Sequence, residues 1–431
     1  MVNVKRTREK IEKNLKDYED ILKQAYKASI QNVDHFQDWI FAKFKELGME
    51  AEEFRVAGKE LKRQPAFRLT YSDPDSIAEG PKNIVGYLNK AATDGILLYA
   101  HADKKPETYE YGKRIPEVIE KDGKYFGSGI ADDVSGLAAM LSAVKLFLDL
   151  GCKPEKKIVV ASILGKQGGV FGTYGLMRRY GPMRAAIYMH PAESGDGLSE
   201  LKTASNGLIE FDLRVTGKHP DSTEVHQSIF STTAVSAVDK LCYVHGELQK
   251  WAAEQSRKYH HDALHSLAGQ SFALTAGKIN CGEENETFEI PVKGSMKGTL
   301  AFSPKATLEV VRKELEEKVE QIKKADPWLS QGNLSLTYGD RIGEAAESDL
   351  NSGFIVDSVE VISAFTGKAP KFFYGHSMSD IRYPLLDWKA EAAYGIGPLA
   401  GNLGEESEWV DKEEYLLSIA ILTEIMNRVA G

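Results

Sequence analysis

The fold is decided by Gly95-Ile96-Leu97-Leu98-Tyr99-Ala100 and the three residues that follow, His101-Ala102-Asp103. The first six residues are mostly apolar and favour β structure, so the pattern predicts a buried strand. His101 and Asp103 come just past its end and point to the same side of an extended chain. A carboxylate beside a histidine is typical of a metal ligand, because it fixes the ring tautomer. The stretch therefore predicts a strand that ends in a metal ligand; the alternative is a histidine that only packs.

A second polar stretch lies about 30 residues further on, at Gly127-Ser128-Gly129-Ile130-Ala131-Asp132-Asp133. It leads directly into a helical pattern predicted over residues 134–150, so the two aspartates lie at a helix entrance. A carboxylate at this place can cap the helix, a role that Asp133 or Ser135 can also fill. Beside His101, however, the stretch favours Asp132 as a second metal ligand.

Strands and helices alternate around these two stretches. Strands are predicted over 157–164 and 185–189, with a short helix over 173–180 between them. This alternation is typical of a largely parallel open sheet, in which ligands bind beyond the carboxyl ends of the strands. Lys166 and His190 fall at such ends, on the side predicted for His101.

The pattern changes near residue 205. Alternating strands over 207–215, 270–279 and 293–302 and two amphipathic helices indicate a smaller α+β domain. We therefore predict an α/β fold in which helices sandwich a mixed, mostly parallel sheet. The metal-binding, catalytic-type domain comprises residues 1–204 and 339–431, and residues 205–338 form the inserted domain.

Composition excludes several classes of function. The chain has 431 residues, a net charge of -9 and 27% charged residues, which argues against nucleic acid as the main partner. Three scattered cysteines indicate a reducing compartment without a disulfide framework. The first residues lack the apolar core of a signal peptide, and no run reaches the roughly 20 apolar residues that span a membrane. We predict a cytoplasmic protein that acts on a small molecule and contacts neither nucleic acid nor membrane.

The ordered motifs resemble the zinc exopeptidase and deacylase family that includes acetylornithine deacetylase, succinyl-diaminopimelate desuccinylase, aminoacylase and glutamate carboxypeptidase. The motifs that carry the resemblance are His101-Ala102-Asp103, Asp132-Asp133, His190-Pro191, Ser379-Asp380-Ile381-Arg382 and Gly395-Ile396-Gly397-Pro398. The resemblance implies a zinc-exopeptidase-like catalytic domain with an inserted lid domain, and a homodimer formed through that lid.

The same resemblance implies a chemistry. Family members use two zinc ions bridged by a carboxylate and a water, with a neighbouring Glu as general base. Asp132 matches the bridging carboxylate, and the resemblance implies a cis peptide bond between Asp132 and Asp133. His101 and His190 match the residues that bind only the first metal.

The sequence departs from the family at the positions that serve the second metal. The expected Glu-Glu pair falls on Lys166-Gln167, and no acidic residue lies between Glu155 and Glu193. The expected late histidine falls near Gly404, and no histidine follows His376. The residues that in the family bind only the second metal are therefore missing, and so is the Glu that serves as the family's general base.

The retained ligands, His101, Asp132 and His190, all belong to one metal. Two histidines and one carboxylate with open positions for water suit Zn, Mn, Co or Fe(II). One such ion can still lower the pKa of a bound water. We predict one divalent metal ion as the cofactor and no second one.

Other residues are candidates for catalysis and substrate binding. Asp103 would orient His101, and Lys166 could supply positive charge where the second metal would sit; the alternative is an exposed loop lysine. Arg382 could grip a substrate carboxylate through two hydrogen bonds, or it could pair with Asp380. A replacement for the missing base is expected among His376, Asp221, Glu405, Glu406 and Glu408, and Asp221 is also a candidate for substrate binding. His260, His261 and His265 resemble a metal cluster, but a solvated helix face is the favoured interpretation.

Three functions remain open at this point. The first is a divergent metal-dependent hydrolase of a C–N bond, in an amide or an amine, in a small carboxylate-bearing substrate. The second is a catalytically silent relative that binds a metal or a small ligand. The third is a redox enzyme, because two histidines and one carboxylate also describe non-haem iron sites. The retained ligand set favours the hydrolase.

Overall fold

The computed structural model describes residues 3–57, 60, 80–166, 171–190, 194–221, 230–282 and 289–431. The sequence also predicts a strand over residues 66–71, which lies outside these ranges, as do the positions of Gln167 and Pro191. The helices are α1 (Val4–Lys13), α2 (Leu15–Ser29), α3 (Val33–Glu46), α4 (Pro106–Arg114), α5 (Ser135–Asp149), α6 (Phe171–Arg179), α7 (Ala237–Lys258), α8 (Asp262–Ala268), α9 (Leu308–Ala325), α10 (Gly353–Thr366), α11 (Arg382–Asp387) and α12 (Lys412–Ala430).

The strands are β1 (Glu50–Arg55), β2 (Lys82–Leu88), β3 (Gly95–His101), β4 (Ile119–Lys121), β5 (Lys124–Phe126), β6 (Lys157–Ile163), β7 (Ala185–Met189), β8 (Glu200–Lys202), β9 (Ala204–Ser205), β10 (Gly207–Thr216), β11 (Phe272–Cys281), β12 (Lys293–Phe302), β13 (Leu334–Gly343), β14 (Ala346–Glu347), β15 (Lys371–Phe373), β16 (Ala392–Ile396), β17 (Ala400–Gly401) and β18 (Trp409–Asp411). The chain divides into two compact units. Unit 1 comprises Met1–Ala204, Glu347–Phe373 and Asp380–Gly431, and unit 2 comprises Ser205–Ala346 and Tyr374–Ser379.

Unit 1 is built on an eight-stranded sheet with the order β1-β2-β6-β3-β7-β16-β8-β15. The pairs β6–β3, β3–β7, β7–β16 and β15–β8 are parallel, whereas β1, β2 and the single β16–β8 bridge pair antiparallel. Helices pack on the sheet, and this mixed, mostly parallel arrangement confirms the predicted fold class.

The alternation of side chains along β3 explains why it is central. Ile96, Leu98 and Ala100 face one apolar cluster, which includes residues of α2, α3, α5 and α12. Leu97 and Tyr99 face the other cluster, on the side of α6 and α11. Every residue of β3 is buried, as expected for a strand with both faces covered.

The amino-terminal helices follow the predicted pattern with one added break. The sequence predicts a single break near 29–34, and α2 and α3 are indeed separated there, with the side chain of Asn32 accepting a hydrogen bond from the backbone N–H of His35 at 2.8 Å. A further break lies at Asn14, between α1 and α2. Asparagine favours helix ends because its side chain competes for backbone hydrogen bonds.

Unit 2 contains an antiparallel sheet with the order β11-β12-β10-β13. The alternating residues Ile209, Phe211, Leu213 and Val215 of β10 face an apolar cluster that includes buried residues of α7 and α9. One sheet face is thus covered by helices, as the period-two pattern predicts. In the described part of the chain, no helix is long and apolar enough to cross a membrane.

Candidate metal centre

Two parallel strands and one loop bring the three predicted ligands together in unit 1. His101 ends β3, His190 follows directly after β7, and these strands are neighbours in the sheet. Asp132 lies in the turn Ile130–Val134 that precedes α5. Oδ1 of Asp132 is 2.7 Å from Nε2 of His101 and 3.1 Å from Nε2 of His190. Within the described ranges, His101, Asp132 and His190 are the one group of three or more His, Cys, Asp or Glu side chains whose ligand atoms all lie within 4.8 Å of one another.

The hydrogen bonds of His101 determine which nitrogen faces the centre. Nδ1 lies 2.9 Å from the main-chain carbonyl oxygen of Asp103, and because a carbonyl only accepts, Nδ1 carries the proton. Nε2 is thereby directed at the carboxylate of Asp132. The Asp103 carboxylate is further away, at 3.6 Å from Nδ1. The main chain of Asp103, rather than its side chain, is therefore the nearest group that orients His101.

The charges of His101 and Asp132 stabilise each other in this pocket. Burial alone would lower the pKa of His101, but the charge of Asp132 and the hydrogen bonds to Asp103 and Asp132 raise it well above the ordinary value. Burial would likewise raise the pKa of Asp132, yet the two histidines hold it well below its ordinary range. The carboxylate and the ring are each stabilised in their charged form, which is the behaviour of groups that share a proton or a metal ion.

His190 has a different neighbour on its outer nitrogen. The ammonium of Lys202, a residue that is only 1% exposed at the end of β8, lies 3.0 Å from Nδ1 of His190. The rings of His190 and His101 stack with their centroids 5.8 Å apart. A ligand histidine normally donates its second N–H to a carboxylate or carbonyl. His101 follows that rule, whereas His190 faces a cation.

Glu408 holds the loop that presents Asp132. Its fully buried carboxylate accepts hydrogen bonds from the backbone N–H groups of Ala131 (2.7 Å), Asp132 (2.8 Å), Gly404 (3.0 Å) and Gly129 (3.2 Å). Burial raises its pKa to about 7. Because these four donors occupy its oxygens, Glu408 acts as a support of the loop. From the sequence, Glu408 is predicted only as a candidate base.

The loop itself has two special features. The peptide bond between Asp132 and Asp133 is cis, as the family resemblance implies. Gly129 has a φ of +71°, and a Cβ there would lie 2.5 Å from Cδ of Lys104, so both its backbone and its packing require glycine. Burial raises the pKa of Asp133 well above its ordinary value, and its Oδ2 accepts a 3.4 Å hydrogen bond from the backbone N–H of His101.

Lys166 lies beside the ligands and is held by Asp380. Its ammonium donates to Oδ1 of Asp380 at 2.9 Å, and Oγ1 of Thr173 donates to Oδ2 at 2.6 Å. The backbone N–H of Lys166 donates to Oδ1 of Asp103 at 3.3 Å. Burial opposes ionisation of Asp380, but the charges of Lys166 and Arg382 hold its pKa below the ordinary value. Lys166 is therefore a fixed cation and not an exposed loop lysine.

Arg382 is buried in the same region. It is 2% exposed, its guanidinium donates to the hydroxyl of Tyr383 at 3.3 Å, and its charge acts on Asp380. These contacts correspond to the alternative in which Arg382 serves Asp380.

Unit 1 also contains Glu405 and Glu406, and unit 2 contains the remaining predicted residues, Asp221, His376, His260, His261 and His265. Asp221 is exposed and pairs with Lys218 at 3.2 Å. The main-chain oxygen of His376 accepts a 2.8 Å hydrogen bond from the backbone of Asn206, which holds the segment Tyr374–Ser379 in this unit. His261 accepts a hydrogen bond from the backbone of Leu264 and so caps α8. His260 pairs with Asp262, and neither it nor His265 joins a group of converging ligands in the described chain.

The residues present fit one divalent cation. Two imidazole nitrogens and one carboxylate oxygen converge on a buried point, and this donor set suits zinc and similar ions. At the position of the family's first Glu, the chain instead presents the ammonium of Lys166, which cannot ligate a metal while it is protonated.

The geometry of this centre agrees with the comparisons to known proteins. Peptidase family M20/M25/M40 matches residues 97–428, so the chain belongs to that family. Carboxypeptidase G2 of Pseudomonas sp. (strain RS-16) is 28% identical over 175 residues, which are 39% of this chain and 40% of that protein. N-formyl-4-amino-5-aminomethyl-2-methylpyrimidine deformylase of Bacillus subtilis (strain 168) is 23% identical over 328 residues, 72% of this chain and 67% of that protein.

A solved structure shows the same fold. Aminopeptidase PepT from Bacillus cereus ATCC 10987 superposes with a TM-score of 0.68 over 97% of this chain and 98% of that one, at 14% sequence identity. The likeness extends over both units of the chain.

Proposed function

We propose that this protein is a metallohydrolase that cleaves a C–N bond, in an amide or an amine, in a small carboxylate-bearing substrate, with one divalent metal ion. The observation that carries the proposal is the convergence of His101, Asp132 and His190 on one buried point. Membership of the M20/M25/M40 peptidase family supports hydrolysis, and the relatives named carboxypeptidase and deformylase support a C–N bond as the target.

The chain's own residues have separate tasks in this proposal. His101, Asp132 and His190 would hold the ion, which supplies a water of lowered pKa and polarises a substrate oxygen. The carbonyl of Asp103 keeps the proton on Nδ1 of His101, so that Nε2 presents a lone pair to the centre. Glu408 holds the backbone on either side of Asp132 and thereby fixes its carboxylate.

Further roles rest on residue chemistry. His376 is the proposed general base, because imidazole exchanges protons near neutral pH. Arg382 and Asp221 stay predictions from the sequence for substrate binding, and in the structure Arg382 is buried beside Asp380. We also propose a cytoplasmic homodimer that forms through the inserted domain, residues 205–338.

The proposal is tested by metal stoichiometry, measured by elemental mass spectrometry on protein purified without chelator. We expect one metal ion per chain in the wild type and its loss in Asp132→Asn, which removes the shared carboxylate. The matched control is Asp122→Asn, an exposed aspartate in unit 1 that should leave the metal in place.

Each outcome decides between the remaining functions. Two ions per chain would show that the single-metal proposal is wrong. No metal in the wild type, even after reconstitution with Zn, Mn, Co or Fe(II), would reject the hydrolase and favour the catalytically silent relative.

A further inference from the structure

Three side chains surround the carboxylate of Asp380. Lys166 and Thr173 each hydrogen-bond one of its oxygens, at 2.9 Å and 2.6 Å, and Arg382 adds a second positive charge. We call Lys166, Thr173, Asp380 and Arg382 the Asp380 cluster. Asp380 is fully buried and Arg382 is 2% exposed, whereas the side chain of Lys166 is 15% exposed. Lys166 is thus the member whose charge can reach a molecule in the centre.

The Asp380 cluster is adjacent to the metal ligands. The backbone N–H of Lys166 donates to the carboxylate of Asp103, whose main chain orients His101. The ammonium of Lys166 lies 5.8 Å from the centroid of the Tyr188 ring, and that ring is 5.3 Å from the ring of His190. The Tyr188 ring is thus a common neighbour of the ammonium and of His190.

We propose that the ammonium of Lys166, fixed by Asp380, is a built-in cation that binds an anionic oxygen of the substrate beside the metal. The inference rests on the proposed function, since it assigns to Lys166 the electrostatic part that a second metal ion has in a two-metal centre. The ligand class is a carboxylate. Asp380 is a positioning residue, because it acts on the substrate only through Lys166.

The ammonium of Lys166 is preorganised for binding an anion. A lysine side chain is flexible and loses rotamer entropy when it binds an anion. The ion pair with Asp380 fixes the ammonium in advance, and Thr173 prevents the carboxylate from turning away. Preorganised charges in a partly buried site stabilise anionic oxygens more than the same charges do in water. Because Asp380 also compensates Arg382, its negative charge is shared between two cations.

The experiment uses the full chain loaded with Co(II) and acetate as the carboxylate probe. Elemental analysis gives the cobalt content, and the visible spectrum of cobalt reports acetate binding. We expect Lys166→Met to weaken acetate binding by about tenfold, the value of one charge-assisted hydrogen bond, while cobalt stays at the wild-type content. Lys166→Arg keeps the charge and should stay within about threefold of the wild type.

Two further variants complete the test. Asp380→Asn keeps the ammonium but removes the ion pair, so acetate binding should weaken by about threefold, less than in Lys166→Met. Lys156→Met is the matched control, since it removes a lysine from an exposed ion pair with Asp94 in the same unit and should change nothing.

The outcomes separate this inference from the proposed function. An unchanged acetate affinity in Lys166→Met that still carries cobalt would overturn the inference and leave the hydrolase standing. Wild-type protein that binds cobalt but not acetate would do the same. A wild type without cobalt would overturn the proposed function itself, and two cobalt ions per chain would overturn both. If Lys166→Met does not fold, Lys166→Gln, which also removes the charge, takes its place, and an unchanged acetate affinity in that variant would overturn the inference.

Discussion

Two parts of the centre lie at the same edge of one sheet but bury charge in opposite ways. The ligand side consists of His101, Asp132 and His190, and the lysine side is the Asp380 cluster. On the ligand side, His101 and His190 direct their Nε2 atoms at one carboxylate oxygen of Asp132. On the lysine side, the carboxylate of Asp380 already has the ammonium of Lys166 as its partner. The ligand side can therefore bind a cation from solution, whereas the lysine side already contains one.

This difference indicates how one metal ion could be sufficient in a fold that resembles the fold of two-metal enzymes. A buried carboxylate is stable only when a cation or several donors compensate it. The Asp380 cluster meets that requirement with side chains of the chain itself, so a second metal ion is not needed for charge balance. The following predictions test whether the two sides are as distinct as the contacts indicate.

The largest expected effect comes from removing the support of the ligand side. Glu408→Ala would leave four backbone N–H groups without their acceptor, the buried ones of Gly129 and Ala131 and the partly buried ones of Asp132 and Gly404. We expect the free energy of unfolding to fall by about 3–5 kcal/mol and metal binding to weaken with it. Urea unfolding and metal titration measure the two effects.

The control for this variant is Glu406→Ala. Glu406 is close in sequence but half-exposed, and it makes a long ion pair with Arg114 at 3.9 Å. Its loss should cost less than about 1 kcal/mol. If Glu408→Ala were as mild as this control, Glu408 would not be the support that fixes Asp132.

A second, smaller effect should appear in the pH dependence of stability. Lys104 lies under the same loop, where its ammonium donates to the carbonyl of Ser128 at 2.9 Å and to the hydroxyl of Ser29 at 2.8 Å. Burial lowers its pKa to about 7, although the charge of Glu408 opposes this. The folded state thus binds this proton more weakly than the unfolded state, in which the pKa is about 10.4.

The sign of the effect follows from this difference. Between about pH 7 and about pH 9 the unfolded chain holds more protons, so stability should rise with pH, by about 2 kcal/mol from this group. Unfolding in urea across this range should show the rise in the wild type, and Lys104→Met should lose it. Glu408, whose pKa burial raises to about 7, acts below this window, where stability falls as the pH rises. A slope that is the same in wild type and Lys104→Met would contradict the assignment.

The convergence of the three predicted ligands, His101, Asp132 and His190, could be predicted from the sequence because it depends on local rules. An apolar run that ends at His101 and another that ends just before His190 predict two strands, and carboxyl ends of neighbouring parallel strands meet. The helix entrance at Asp132 lies within the same stretch of pattern. These three residues needed only the strand and helix periods and the family motifs to be placed together.

The supporting residues were not predictable in this way. Glu408 contacts the backbone of Asp132 across 276 positions in the chain, and no periodicity reports such a contact. The sequence predicts an exposed side chain for Lys202, since lysine is almost never fully buried. The orientation of His101 by the main chain of Asp103, rather than by its carboxylate, depends on the exact path of the turn, which the sequence does not give.

The smallest expected effect concerns Lys202, which places a positive charge against the ligand side. Its ammonium lies 3.0 Å from Nδ1 of His190. There it withdraws electron density from the ring, and its charge repels a divalent ion bound at Nε2. We expect Lys202→Met, which keeps the apolar length of the side chain, to tighten Co(II) binding by about tenfold. Lys156→Met is again the control, because its charge lies in an exposed pair with Asp94. Weaker cobalt binding in Lys202→Met with unchanged thermal stability would mean that Lys202 holds His190 in place more than it repels the metal, and the ligand side would then depend on a lysine as the other side does.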